Sequence, residues 1–465
     1  MKKAVRYINR FAGLLAVSLF VALIVAAQPA AKPPLPNDQI TTKVDEYMSA
    51  LLRVDGFSGT ILIARDGKPV VSKGYGMANT ELGVPNTPES IFRLGSITKQ
   101  FTSMSIMMLQ ERGKLKVADP ICNYFTDCPE IWKPITIRNL LTHTSGIANY
   151  TAFRDFAQTT VMPTTTTAMV ERLKKEKLDF APGEKYSYSN SGYYLLGVII
   201  EKVSGQTYAD FLQTNIFTPL GMKQSGFDDP IRIIPHRAAG YQKQAGKIVN
   251  ANYTDMSVPY AAGSLYSTTG DLLVWDQALY TEKLVTKKSL DEIFTPWKGE
   301  AGYGYGWNIG KRYDRKQISH NGGIYGFATQ IARFPDDNVT VIVLSNIQAA
   351  PVGQINNSLS AIVFGGTYEI PRERKEINLD ANVLEKLTGE YQVGAGPIIT
   401  LTLENGKLMG QVGGQSKFVI LAESETQFFS RDINAQFTFV KDAAGQVTGL
   451  TLSQGGGNTP AKKIK

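Results

Sequence analysis

Two strand-forming stretches frame most of this chain, and they lie far apart in it. The first, SGTILIARDGKPVVSKGYG over residues 58–76, has two β-rich runs around Asp66-Gly67, the pattern of a two-residue hairpin turn. The second group comes late: GYGYGWNIG (302–310), QISHNGGIYGFATQIARF (317–334) and NVTVIVLSN (338–346), short and separated by turn residues such as Asp336-Asp337-Asn338. A sheet built from these runs has to be closed by sequence-distant pieces, with the intervening chain packed around it.

That intervening chain reads as helical. Ahead of the first hairpin, Ile40, Val44, Met48, Leu51 and Leu52 recur at helical spacing, giving an amphipathic opening helix. A helical stretch runs from Ser96 to a stop at Gly113, and a mostly helical region extends from ITIRNLLTH to FLQTNIF. Within it Pro182-Gly183 breaks the chain before a helix whose face carries Tyr194, Leu195, Val198, Ile199 and Val203.

At 465 residues the chain has room for one large domain and a smaller one. The polar, proline-containing stretch 367–380 reads as a linker. Beyond it, alternating runs around Asn405-Gly406 and in SKFVILA, TQFFSR, AQFTFVK and VTGLTL predict a small antiparallel β domain over 381–465. At the other end, Lys2, Lys3, Arg6 and Arg10 precede an apolar run and the small-residue exit Val25-Ala26-Ala27. This is the order of a secretory signal over 1–27, followed by a spacer over 28–38, so the protein is expected to be exported, periplasmic or secreted, and membrane-anchored only if the leader is retained. The first 27 residues hold four of the basic side chains and no acidic one, so the formal charge of +8 falls to +4 without them. That balance is too mild for a nucleic-acid partner. In an exported protein the pair Cys122 and Cys128 is expected to form a local disulfide.

The stretch RLGSITKQFT (93–102) carries the first chemical signal. Ser96 and Lys99 are three apart and share a helical face, which would put a nucleophile beside a base at a helix start. The same residues also read as a capping serine and a solvated lysine. Two further elements bear on this: Tyr188-Ser189-Asn190 just before a helix, and His320-Asn321-Gly322-Gly323 between strand-like runs. His143 near a helix end reads as a buried, hydrogen-bonded structural residue, and His236 as part of a surface loop. There is no H-E-x-x-H and no G-x-S-x-G, so neither a zinc hydrolase nor a nucleophile elbow is indicated.

The ordered trio S-x-x-K, Y-x-N and H-x-G resembles the serine β-lactamase and penicillin-binding-protein superfamily, in particular its class C β-lactamase, DD-carboxypeptidase and esterase branch. The flanks LLTHTSGI (140–147), YAAGSLYSTTGDLLVWDQAL (260–279) and YGYGW (303–307) are similar to that branch as well. The resemblance covers roughly residues 38–350 and implies an α+β fold: a β-lactamase/transpeptidase-like domain over 39–366, with an antiparallel sheet flanked by helices and a helical subdomain. The C-terminal part resembles the small lipocalin-like antiparallel β-barrel appended to some members.

Carried across, the resemblance implies Ser96 as the acylated nucleophile, Lys99 as its proton partner and Tyr188 as a second acid/base. Asn190 would touch the substrate amide, His320, Asn321 and Gly322 would line the opposite wall, and the N–H groups of Ser96 and Gly323 would form the oxyanion hole. No cofactor and no metal are implied. Many β-lactamases carry Lys-Thr-Gly where this chain has His320-Asn321-Gly322, and a neutral imidazole attracts a substrate carboxylate less than an ammonium does. The expected activity is therefore amide or ester hydrolysis through an acyl-enzyme, on a small-molecule or peptide substrate such as a cell-wall-derived D-amino-acid terminus. The alternatives are a true β-lactamase, or a penicillin-binding or cell-wall-peptide-binding protein without turnover.

Overall fold

The computed structural model describes residues 33–244, 247–297, 302–348, 350–394, 396–413, 417–431, 433, 435–454 and 457–465. The leader expected over 1–27 and the start of the spacer lie outside the described residues.

The sequence-distant runs do close one sheet. In order across it, the strands are Asn308–Arg312, Arg315–Ile324, Phe327–Phe334, Val339–Ser345, Gly59–Arg65 and Lys68–Tyr75, all antiparallel. Asp66 and Gly67 both take positive φ (52° and 70°), as a tight hairpin turn of that hand requires. Gly59 pairs with Ser345 and Arg65 with Val339, so the two most apolar strands lie side by side at the centre.

Alternation explains why those central strands are apolar throughout. Ile61, Ile63, Val341 and Val343 face one layer, with the opening helix Asn37–Asp55 and the helix Val352–Phe364. Leu62, Ala64, Ile342 and Leu344 face the other, where the helices Thr98–Glu111 and Asn190–Ser204 belong to the larger core. A strand covered on both faces has no polar side to spare.

Two local expectations are corrected. Residues 302–307 of GYGYGWNIG are not strand; the strand starts at Asn308. Gly306, at φ 78°, lies where a Cβ would stand 2.8 Å from the Lys99 carbonyl oxygen, so the segment is a loop pressed against the helix that carries Lys99. The α-helix expected from Ser96 begins at Thr98, after a single 3-10 turn over Gly95–Ile97. Cys122 and Cys128 are joined, their Cα atoms 5.4 Å apart.

Beyond the hydrolase core the chain changes partners within a few residues. Tyr368 still packs edge-on against Tyr47 of the opening helix. Arg372 and Arg374 both pair with Glu423, and the Ile377 N–H donates to the Ala422 carbonyl, so this stretch is held by the C-terminal unit. That unit is a closed antiparallel barrel from Gly389–Val393 to Gly457–Lys463, in which each strand pairs with its neighbour in sequence and the last returns to the first. Side chains such as Tyr391, Leu401, Phe418, Phe428 and Phe437 fill its interior.

Candidate active site

The turn that carries Ser96 is fastened from three sides. The Leu94 N–H donates to the Leu265 carbonyl, the Leu94 carbonyl accepts from the Thr329 hydroxyl, and the Leu265 N–H donates to Thr98 Oγ1. Gly95 has φ 56°, and a Cβ there would stand 2.8 Å from the Gly323 nitrogen, so only glycine allows the turn to lie against the strand. Gly322 is tighter still, with a would-be Cβ 2.0 Å from the Leu94 carbonyl oxygen. The strand Asn308–Arg312 pairs only as far as Ser319, and the Ser96 turn packs beside the next stretch, His320–Gly323. The N-cap positions of the 3-10 turn and of the helix fall on Leu94 and Ile97, not on Ser96, whose hydroxyl faces Lys99.

Lys99 is fully buried. Its Nζ lies 2.9 Å from Ser96 Oγ, 2.8 Å from Asn190 Oδ1 and 2.9 Å from the Ala262 carbonyl oxygen. It stands 4.8 Å from the centre of the Tyr188 ring and 5.5 Å from that of Tyr193. No carboxylate pairs with it among these neighbours, and burial pushes its pKa well below the usual lysine value. Asn190 Oδ1 and the Ala262 carbonyl can only accept, so each takes an N–H; toward Ser96 Oγ an ammonium would donate its third N–H, whereas the neutral amine that burial favours turns its lone pair there.

Tyr188 sits on the extended stretch ahead of Asn190–Ser204, its ring centre 4.8 Å from Lys99 Nζ and its hydroxyl on the side of Ser96. Burial raises its pKa above the ordinary phenol value, with Ser96 opposing, so the phenol is neutral at pH 7. Asn190 is turned toward Lys99. Its backbone N–H donates to Asn149 Oδ1 at 3.1 Å, and its Nδ2 reaches Thr151 Oγ1 at 3.4 Å.

His320 is buried, and burial followed by the nearby Lys99 lowers its pKa to about 3. Its Nδ1 lies 2.6 Å from the Asn321 carbonyl, so the proton is there, and its Nε2 accepts from the Tyr303 hydroxyl at 2.8 Å. Both ring nitrogens are thus spent on the protein. Asn321 is exposed and, by strand alternation, points away from the face that His320 occupies.

The structure therefore gathers Ser96, Lys99, Tyr188, Asn190, His320, Gly322 and Gly323, and sets the Asn321 side chain apart. It also adds residues that motif reading passed over. Tyr303 lies in the YGYGW flank, Asn149 stands two residues beyond LLTHTSGI, and Tyr193 and Ala262 contact Lys99. A positional signal existed only in the flanks, since none of these side chains has a spacing that announces chemistry. His143, expected as structural, is buried and hydrogen-bonded, but its ring lies 4.3 Å from that of Tyr188. His236 is in an exposed loop, as expected.

A model of the family described as Beta-lactamase matches residues 44–363. The chain belongs to that family. In this beta-lactamase family protein, a second model, a domain of unknown function (DUF3471), matches residues 373–461 and spans the barrel. The chain is 32% identical over 415 residues to penicillin-binding protein 4* of Bacillus subtilis, covering 83% of this chain and 91% of that protein. It is 27% identical over 317 residues to the teichoic acid D-alanine hydrolase of Staphylococcus aureus, covering 66% of this chain and 73% of the relative. Among solved structures, the octameric penicillin-binding protein homologue of Pyrococcus abyssi superposes with a TM-score of 0.65 at 27% identity, covering 91% of this chain and all of that one. A D-stereospecific amidohydrolase from Streptomyces superposes at 0.61 and 25% identity, covering 72% of this chain and all of that one. The protein is a serine hydrolase of the beta-lactamase-related type.

Proposed function

We propose that the protein is an exported hydrolase that forms an acyl-enzyme on Ser96 and cleaves amides or esters of D-amino acids. The observation that carries this reading is the bonding around Lys99: two pure acceptors hold the buried amine, and its third position faces Ser96 Oγ. As Oγ attacks the carbonyl carbon, its proton passes to Lys99 Nζ, and the amides of Ser96 and Gly323 face the developing oxyanion. Tyr188 then gives its proton to the leaving nitrogen or oxygen as the C–N or C–O bond breaks, and the Lys99 ammonium restores it. Water repeats the sequence in reverse to free Ser96.

His320 supports the substrate class. A neutral imidazole with both nitrogens occupied offers no charge to a substrate carboxylate on that wall, as an ammonium would. This favours D-aminoacyl amides and esters over β-lactams, and two of the similar proteins, named a teichoic acid D-alanine hydrolase and a D-stereospecific amidohydrolase, point the same way. The basic-apolar leader pattern and the Cys122–Cys128 disulfide support export.

A panel of D-alanine p-nitroanilide, a D-alanyl ester, a D-Ala-D-Ala peptide and nitrocefin, with fluorophosphonate labelling and peptide mapping, tests the reading. The expected result is turnover of the D-aminoacyl substrates, weak or no turnover of nitrocefin, and a label on Ser96. Undiminished labelling in Ser96→Ala overturns the nucleophile, and preference for nitrocefin overturns the substrate class.

A further inference from the structure

Tyr188 is held by one residue from a distant part of the chain. His143, just after the short helix Ile137–Leu141, adopts a left-handed backbone with φ 56°, uncommon for a non-glycine residue. In that conformation its carbonyl accepts the Ser187 N–H at 2.9 Å, while its Nδ1 accepts the Ser189 N–H at 3.1 Å. The two amides that flank Tyr188 therefore both end on His143. The imidazole also lies against the phenol ring, centroids 4.3 Å apart at 37°.

Since Nδ1 accepts, the ring proton is on Nε2, and that atom is buried with no hydrogen-bond partner among the described residues. The imidazole is packed among the rings of Tyr186, Tyr193 and Tyr303, whose centres stand 5.9, 5.1 and 4.8 Å from its own. Burial, with Lys99 and His320 nearby, keeps the imidazole neutral. Protonation would turn Nδ1 into a donor facing the Ser189 N–H and open the clamp.

We propose that His143 is a positioning residue: by taking both flanking amides and backing the ring, it aims the Tyr188 hydroxyl at the leaving group. This rests on the reading of Tyr188 as proton donor. A residue that only supports the fold would affect all substrates alike. A residue that aims a proton donor matters most when the leaving group is poor, because p-nitrophenolate departs without a proton and an amine does not.

The test uses the full chain and two substrates with the same D-alanyl group, the p-nitrophenyl ester and an alkylamide. His143→Phe keeps a ring and removes the Nδ1 acceptor. His143→Asn keeps a side-chain acceptor and a residue type that tolerates positive φ. General acid catalysis sets the expected scale: kcat/KM, which reports acylation and not the deacylation common to both substrates, falls about 50-fold or more on the amide in His143→Phe, while kcat/KM on the ester loses less than about fivefold. His143→Asn recovers most of the amide rate, and Tyr188→Phe shows the same amide-selective loss. Equal losses on both substrates in His143→Phe, or a lower melting temperature with amide turnover intact, overturn the positioning role. If His143→Phe does not fold, His143→Gly, which keeps the positive φ and removes both the ring and the acceptor, decides: amide and ester rates falling together overturn the role, and an amide-selective loss supports it. If Tyr188→Phe keeps full amide turnover, the underlying reading of Tyr188 fails too, which separates the two failures.

Discussion

Lys99 is the residue on which pH dependence should turn. Its neutral form accepts the Ser96 proton, so the rate falls as pH drops through its lowered pKa, giving an acidic limb in kcat/KM below the ordinary lysine range. The Tyr188 phenol stays neutral well past pH 9, so no alkaline limb is expected from it up to that pH. His320, at about 3, does not titrate between pH 5 and 9, and His320→Gln should change the height of the profile but not its shape. A limb near pH 6.5 that vanishes in His320→Gln would contradict this. Stability gives an independent check. In the unfolded chain His320 takes up a proton as pH falls through about 6.5, but in the folded chain only near 3. The unfolded state then binds more protons, so folding loses about 1.4 kcal/mol for each pH unit below that point. The urea midpoint should decline from pH 6.5 toward 4, and less steeply in His320→Gln.

At the scale of elements, the nucleophile turn and the strand beside it depend on backbone approach. Gly95→Ala would place a methyl 2.8 Å from the Gly323 nitrogen at a positive φ, and Gly322→Ala one 2.0 Å from the Leu94 carbonyl oxygen. Each should cost about 1–3 kcal/mol and displace Ser96 from Gly323, so that acylation falls by more than the shift in urea midpoint explains. Parallel unfolding and fluorophosphonate-labelling measurements would show whether the two losses part company. Such contacts were invisible in the sequence, where Gly322 and Gly323 are letters in a motif and Gly95 precedes a serine. What could be read there was periodic or local: the opening helix from Ile40, Val44 and Met48, the hairpin at Asp66-Gly67, the late strand runs and the small antiparallel β domain. The Tyr303 bond to His320 could not be read, since it joins a loop that looked like strand to a strand edge. The 3-10 turn at Ser96 was missed because S-x-x-K spacing fits either kind of helix.

For the whole molecule, the layout separates chemistry from the appended barrel. Glu423 and Ala422 hold the stretch from Arg372 to Ile377, while Tyr368 packs against Tyr47 of the opening helix. Truncation after about residue 370 is expected to leave Ser96 reactive to fluorophosphonate while altering the ranking of substrates in the panel. Unchanged kinetics on every substrate would refute a role for the barrel in selection. A second expectation concerns the C-terminal piece by itself: residues 372–465 keep their own buried core and should unfold in one cooperative transition by circular dichroism. The barrel strand that opens at Gly389 is hydrogen-bonded to the one that closes at Lys463. The first and last strands of the barrel thus meet at one end, so both ends of this unit share a single doorway, the geometry of a piece that closes on itself and leaves the threading of the hydrolase core untouched.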